Sequence, residues 1–259
     1  MPTAISKDGT AIAYDKTGKG PAIILVNGAL AHRNFYGEKD LADILAKDFT
    51  VIYFDRRGRG ESADTKPYTV EKEIEDIAAL IDEAGGKAYL YGVSSGAALS
   101  LHAAEKLGPE KVIKLALYEP PYGSANAKQF AGQKKQINEL ITAGKPGEAV
   151  AAFLESTGAT PDQIADMKKS PEWREMERLG PTLAYDFEVL GDGSIPADVA
   201  KRIMMPTQVM YGEKSFDFMH ETVETLGKII PGAVRKTLRD QAHQVSPEAI
   251  APILKEFFE

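Results

Sequence analysis

Short apolar runs alternate along the chain with longer stretches in which apolar residues recur every three or four positions. The runs at 11–15, 22–27, 50–55, 88–93, 112–118, 207–211 and 234–238 have the length and composition of strands. Between 69 and 84, Val70, Ile74, Ile77 and Ile81 share one helical face, and Gly85-Gly86 supplies the stop. Ser246-Pro247-Glu248 opens a last helix with a capping hydroxyl and a proline in its first turn, and Ile250, Ile253, Leu254 and Phe257 then face a core. Strands alternating with helices predict a mostly parallel sheet covered on both faces.

One stretch breaks the alternation. From 121 to 205 no convincing strand pattern appears, whereas 134–142, 146–156, 161–169 and 171–178 read as short helices separated by Gly and Pro. This is a helical insertion between two strands. It leaves 1–120 and 206–259 to form the core domain.

Composition narrows the function. A chain of 259 residues is long enough for one large α/β domain with an insertion. It has no cysteine, which removes disulfides, thiolate metal sites and a thiol nucleophile and suits a reducing, cytoplasmic setting. The first residues lack the apolar stretch of a secretion signal, and no apolar run is long enough to span a bilayer, so a soluble protein is expected. Thirty-eight acidic against 31 basic side chains give a net charge of −7, with the basic ones scattered, which argues against nucleic acid or an anionic membrane as partner. Nothing suggests a fixed protein partner, and the expectation is a monomer or weak homodimer.

The candidate chemistry lies at Gly92-Val93-Ser94-Ser95-Gly96, a G-x-S-x-G that follows a strand pattern and runs into a small-residue helix pattern. Such a pentapeptide turns up by accident in a chain of this length about one time in ten. Its context makes it informative, because a strand before and a helix after are what a nucleophile elbow requires. Flanking glycines let the backbone pass closely, and the following helix N-terminus favours developing negative charge.

Taken together, four features in order resemble the α/β-hydrolase family: Val26-Asn27-Gly28-Ala29 as the loop after the third strand, Asp55-Arg56-Arg57-Gly58-Arg59-Gly60-Glu61-Ser62 as the family's D-x-R-G-x-G-x-S turn, the elbow, and His243 before the last helix. The resemblance covers nearly the whole chain. It implies a mostly parallel sheet of about eight strands with helices on both faces, and makes the insertion at 121–205, after the sixth strand, a helical cap or lid. It also implies that the backbone N–H groups of Ala29 and Ser95 form an oxyanion hole. Asn27 stands where the family usually has His.

A serine hydroxyl needs a base within hydrogen-bond reach and a third group to orient that base. Ser94 is the expected nucleophile and His243 the expected base, in the family order of Ser first and His last. His102 lies eight residues past Ser94 on one helix, roughly 12 Å along the axis, which is too far. His32 could touch substrate, and His220 reads as exposed. Two acids stay open. Glu119 ends the strand next to the nucleophile strand, whereas Asp217 lies two residues beyond the position the family usually uses, here Ser215. A carboxylate ending a buried strand needs a partner, which an imidazolium would supply. In the insertion, Phe130, Phe153, Trp173, Met176, Tyr185 and Phe187 could line an acyl pocket or pack the insertion itself, and Arg56, Arg57 and Arg59 could bind an anion or serve the turn. The expected enzyme cleaves a carboxylic ester or related small acyl substrate through an acyl-enzyme, with no cofactor and no metal. Rival readings are a C–C bond hydrolase, a lyase or a perhydrolase on the same residues, or a small-ligand receptor without turnover.

Overall fold

The computed structural model describes residues 2–36, 38–123 and 126–259. Its eight strands are β1 (Thr3–Ile5), β2 (Ala11–Gly18), β3 (Ala22–Val26), β4 (Thr50–Phe54), β5 (Ala88–Val93), β6 (Val112–Tyr118), β7 (Thr207–Gly212) and β8 (Val234–Leu238). They form one sheet in the order β1-β2-β4-β3-β5-β6-β7-β8. β2 runs antiparallel to β1 and β4, and every other neighbouring pair is parallel. Parallel strands covered on both faces read as continuous apolar runs. All five residues of β3 are buried accordingly. At the open edge, β8 reads Val-Arg-Lys-Thr-Leu and leaves its charged side chains to solvent, which discourages edge-to-edge pairing. The three-residue β1 is the strand that sequence periodicity missed, since three residues carry no period.

Helices α1 (Glu38–Leu45) and α11 (Pro247–Phe258) cover one face, where Leu41, Leu45, Ile250, Leu254 and Phe258 pack on β3, β4 and β6. Helices α2 (Val70–Glu83), α3 (Ser95–Leu107) and α10 (Asp217–Ile229) cover the other, with Ile77, Leu80, Leu99 and Val223 in that core. Thr69 caps α2 by accepting from the Lys72 N–H, and Ser246 caps α11 by accepting from the Ala249 N–H with Pro247 in the first turn. No helix among the described residues is long and apolar enough to cross a membrane.

Between β6 and β7 lie α4 (Ala127–Thr142), α5 (Pro146–Ser156), α6 (Pro161–Met167), α7 (Pro171–Leu179), a 3₁₀ turn (Gly180–Thr182), α8 (Leu183–Val189) and α9 (Ala197–Ala200). Prolines start α5, α6 and α7, where a missing N–H costs nothing. Phe130, Ile137, Val150, Trp173, Met176 and Phe187 form a core of their own, which also takes in Leu30 from the loop after β3. That contact sets these helices over the carboxyl ends of the strands. The end of the stretch behaves differently, since Val189, Ala200, Ile203 and Met205 pack into the main core. The residues between β6 and β7 therefore feed two cores.

Candidate active site

Ser94, Glu119 and His243 converge at the carboxyl edge of the sheet, where doubly wound folds place their ligands. β5 and β6 are in register with Val93 opposite Tyr118, so Ser94 and Glu119 are the first residues past an aligned pair. The Ser94 N–H donates to the Tyr118 carbonyl at 2.9 Å, and the Glu119 N–H to Met210 at 3.0 Å. Both residues then leave their strands with positive φ, +56° at Ser94 and +48° at Glu119. For residues with a Cβ this is strained backbone, and it persists only where the surroundings over-determine it. At the elbow the close approach is visible: a Cβ on Gly92 would lie 2.5 Å from the Gly96 carbonyl oxygen, and one on Gly96 would collide with the carbonyls of Val26 and Asn27. Bigger residues would push α3 off the sheet and move Ser94.

A hydrogen-bonded chain runs through the site. His243 Nε2 lies 3.1 Å from Ser94 Oγ, and its Nδ1 lies 2.7 Å from Glu119 Oε2. His243 sits in the loop between β8 and α11, which is tied to the sheet by the Tyr118 hydroxyl donating to the Ala242 carbonyl at 2.6 Å. Glu119 is completely buried. Besides His243, it accepts from the Gly212 N–H and from the Ser215 hydroxyl, each at 2.7 Å. Ser215 thus occupies the sequence position where a family acid was sought and serves a carboxylate that ends β6 instead. Asp217 is the exposed first residue of α10, and the Nδ1 contact of His243 goes to Glu119.

Ala29 and Ser95 line the same cavity as Ser94 and His243, and among the described residues neither backbone N–H has a backbone acceptor. The Asn27 amide donates to the Phe54 carbonyl at 3.2 Å and to Glu38 Oε2 at 3.1 Å. The cavity measures about 850 Å³. Phe130, Phe153, Met176 and Phe187 from the insertion, with Phe216 and Met219, give it an apolar wall. Three pocket expectations are corrected. Trp173 is buried in the insertion's own core, and Tyr185 stacks on Tyr68 at 3.9 Å and donates to Asp64. His32 stacks on Phe35 and lies 3.3 Å from Glu175, outside the cavity wall. His102 and His220 also lie outside the cavity lining, the latter bonded to the Gly212 carbonyl at 3.0 Å.

Beneath the elbow lies a buried ionic network that sequence reasoning left half-read. Arg56, Arg57 and Arg59 are fully buried. Arg57 is clamped by Asp76 and Asp8, and Arg56 by Glu73 in two bonds of 2.7 and 2.8 Å. Asp186, from α8 in the insertion, accepts from Arg56 at 2.8 Å, from Arg59 in a two-oxygen clamp at 2.8 Å, and from the Ser95 hydroxyl at 2.7 Å. Burial alone would raise the Asp186 carboxyl, but Arg59 and Arg56 hold it below its ordinary value. The three arginines therefore hold the loops together and are spent on internal carboxylates. The missed signal was Asp186, which sits between the aromatic residues Tyr185 and Phe187 and asks for a cation, while the 55–62 turn offers three. Among the described residues no cluster of three or more His, Cys, Asp or Glu side chains is placed to hold a metal ion.

Comparison with known proteins agrees with this architecture. Residues 23–252 match the model of the alpha/beta hydrolase family. An alpha/beta hydrolase from Sphaerobacter thermophilus has 44% identity over the whole of both chains, with a TM-score of 0.90. Among curated proteins, 1H-3-hydroxy-4-oxoquinoline 2,4-dioxygenase of Pseudomonas putida is 29% identical over 43% of each chain, and zearalenone hydrolase of Cladophialophora bantiana is 30% identical over 46% of each. The chain spans less than half the length of these curated relatives. The family match covers most of the chain, and its fold is that of the whole Sphaerobacter protein: this chain belongs to the alpha/beta hydrolase family.

Proposed function

We propose that this enzyme cleaves a carboxylic ester or related acyl substrate through an acyl-enzyme on Ser94. The observation that carries the reading is the chain from Ser94 Oγ through His243 to buried Glu119, at 3.1 and 2.7 Å, open to an apolar cavity. Ser94 Oγ attacks the acyl carbon while His243 Nε2 takes its proton, a transfer that contributes about 10²- to 10⁴-fold. Glu119 accepts from His243 Nδ1–H, fixing the tautomer and stabilising the imidazolium. The oxyanion falls between the Ala29 and Ser95 amides, each such donor being worth about 3 to 4 kcal/mol. His243 then returns the proton to the leaving oxygen, and the C–O bond breaks. Water, activated by the same imidazole, adds to the acyl carbon and releases the acid and Ser94. The insertion acts as a cap whose Phe130, Phe153, Met176 and Phe187 accept an uncharged acyl or alcohol part. A serine in this position rules against the carboxylate-nucleophile chemistry of other scaffolds in the family.

Hydrolysis of p-nitrophenyl butanoate in H₂¹⁸O tests the proposal. The butanoate released should carry one heavy oxygen from solvent, and Ser94→Ala should lose on the order of 10⁴-fold or more in kcat. Undiminished turnover by a folded Ser94→Ala protein would overturn it, and acyl transfer to hydrogen peroxide in preference to water would move the reading to a perhydrolase.

A further inference from the structure

One carboxyl in the cavity is left over by this mechanism. Glu38, the first residue of α1, lines the same cavity as Ser94 and His243, beside Leu25, Leu41, Tyr91 and Ile250. Among the described residues it receives one hydrogen bond, from Asn27 Nδ2 at 3.1 Å, and no cation stands within salt-bridge distance. The contrast is with Asp186 on the same cavity, which two arginines neutralise. A carboxyl on a ligand cavity with most of its hydrogen-bonding capacity unused is a recognition group in search of a partner.

We infer that Glu38 is a substrate-recognition residue whose carboxyl receives an uncharged polar group, a carbonyl or hydroxyl, carried by the substrate away from the scissile carbon. Asn27 fixes the carboxyl from one side, because its own amide is held by the Phe54 carbonyl. Burial pushes Glu38 up to about 8, against the hydrogen bond from Asn27. Asp55 adds to that rise, while Arg59 and Arg56 oppose it from a distance, their near partners being Asp186 and Glu73. Tyr91, also on the cavity wall, feels both Glu38 and Glu119. At neutral pH the side chain is therefore an acid that donates one hydrogen bond and accepts another, which suits a carbonyl or hydroxyl better than an ammonium.

This inference rests on the hydrolase reading, and its test separates the two. The probes are p-nitrophenyl hexanoate, the same ester with a keto group moved along the acyl chain, keto-substituted alkyl hexanoates, and p-nitrophenyl 6-aminohexanoate. At least one keto position should exceed the plain ester in kcat/KM by about 10-fold or more, since a site built to hydrogen-bond rejects the analogue lacking the group. Glu38→Leu should erase that preference, while Glu38→Gln, still a donor, keeps most of it. In wild type the preference should hold at pH 6 and 7 and fall as pH rises through about 8, where the carboxyl loses its donor proton; Glu38→Gln should lack that fall. A preference that survives Glu38→Leu, no preferred keto position, or a preference for the amine that grows above pH 8 would each overturn the inference. A wild type that turns over no ester removes the hydrolase reading and this one with it, whereas turnover without Glu38-dependent preference removes this one alone.

Discussion

Glu119→Gln is expected to lower kcat for ester hydrolysis by on the order of 10⁴-fold while leaving the fold intact. The amide has the volume of the carboxylate, and its oxygen can still accept from the Gly212 N–H. Its NH₂ then faces His243 Nδ1 and the Ser215 hydroxyl, where the carboxylate accepted from both. An imidazole that must accept at Nδ1 carries its proton on Nε2, pointing at Ser94, and cannot take the serine proton. Asp217→Asn should change kcat less than two-fold, because Asp217 is exposed at the start of α10. Steady-state kinetics on one p-nitrophenyl ester checks both. A large loss in Asp217→Asn with little in Glu119→Gln would reverse the assignment of the acid.

The second large effect is on stability. Asp186→Asn should lower the melting temperature by on the order of 10 °C, because removing one partner of a buried ion pair costs about 3 to 5 kcal/mol and 1 kcal/mol moves a protein of this size about 2 to 4 °C. Arg59 would be left buried with carbonyl oxygens and no carboxylate, Arg56 would keep Glu73, and the Ser95 hydroxyl would lose its acceptor. Glu224→Gln, which loosens the surface pair of Glu224 with Arg235, should move the transition by no more than about 2 °C. Thermal unfolding followed by circular dichroism reads both. Equal shifts would mean that the network under the elbow is no more than a surface ion pair in its effect.

The fold was legible where local chemistry decides it. The buried runs of β3 to β7 and the proline-started helices α5, α6 and α7 follow from patterns within a few residues. β1 and the helical turn at Gly180–Thr182 do not, because a three-residue element has no period to detect. In the site, Ser94 and His243 were readable because each sits in a local pattern with a mechanical reason. The acid stayed open between Glu119 and Asp217, since both follow strands that end on the same edge and only the turn geometry determines which one faces the imidazole. Asp186 was hidden because its flanking residues Tyr185 and Phe187 read as core, and its partners lie about 130 positions earlier. Periodicity also separates buried from exposed faces without distinguishing two buried destinations: Trp173 and Met176 lie three residues apart on α7, and Met176 reaches the cavity.

Intact-mass measurement after exposure to a fluorophosphonate tests the central claim most directly, because it reads activation of the nucleophile without knowledge of the substrate. Wild type should gain the mass of one adduct, Ser94→Ala none, and His243→Ala and Glu119→Gln should label far more slowly than wild type. No adduct on folded wild type, or one that persists in Ser94→Ala, would contradict the account and leave the cavity as a binding site without acyl transfer on Ser94.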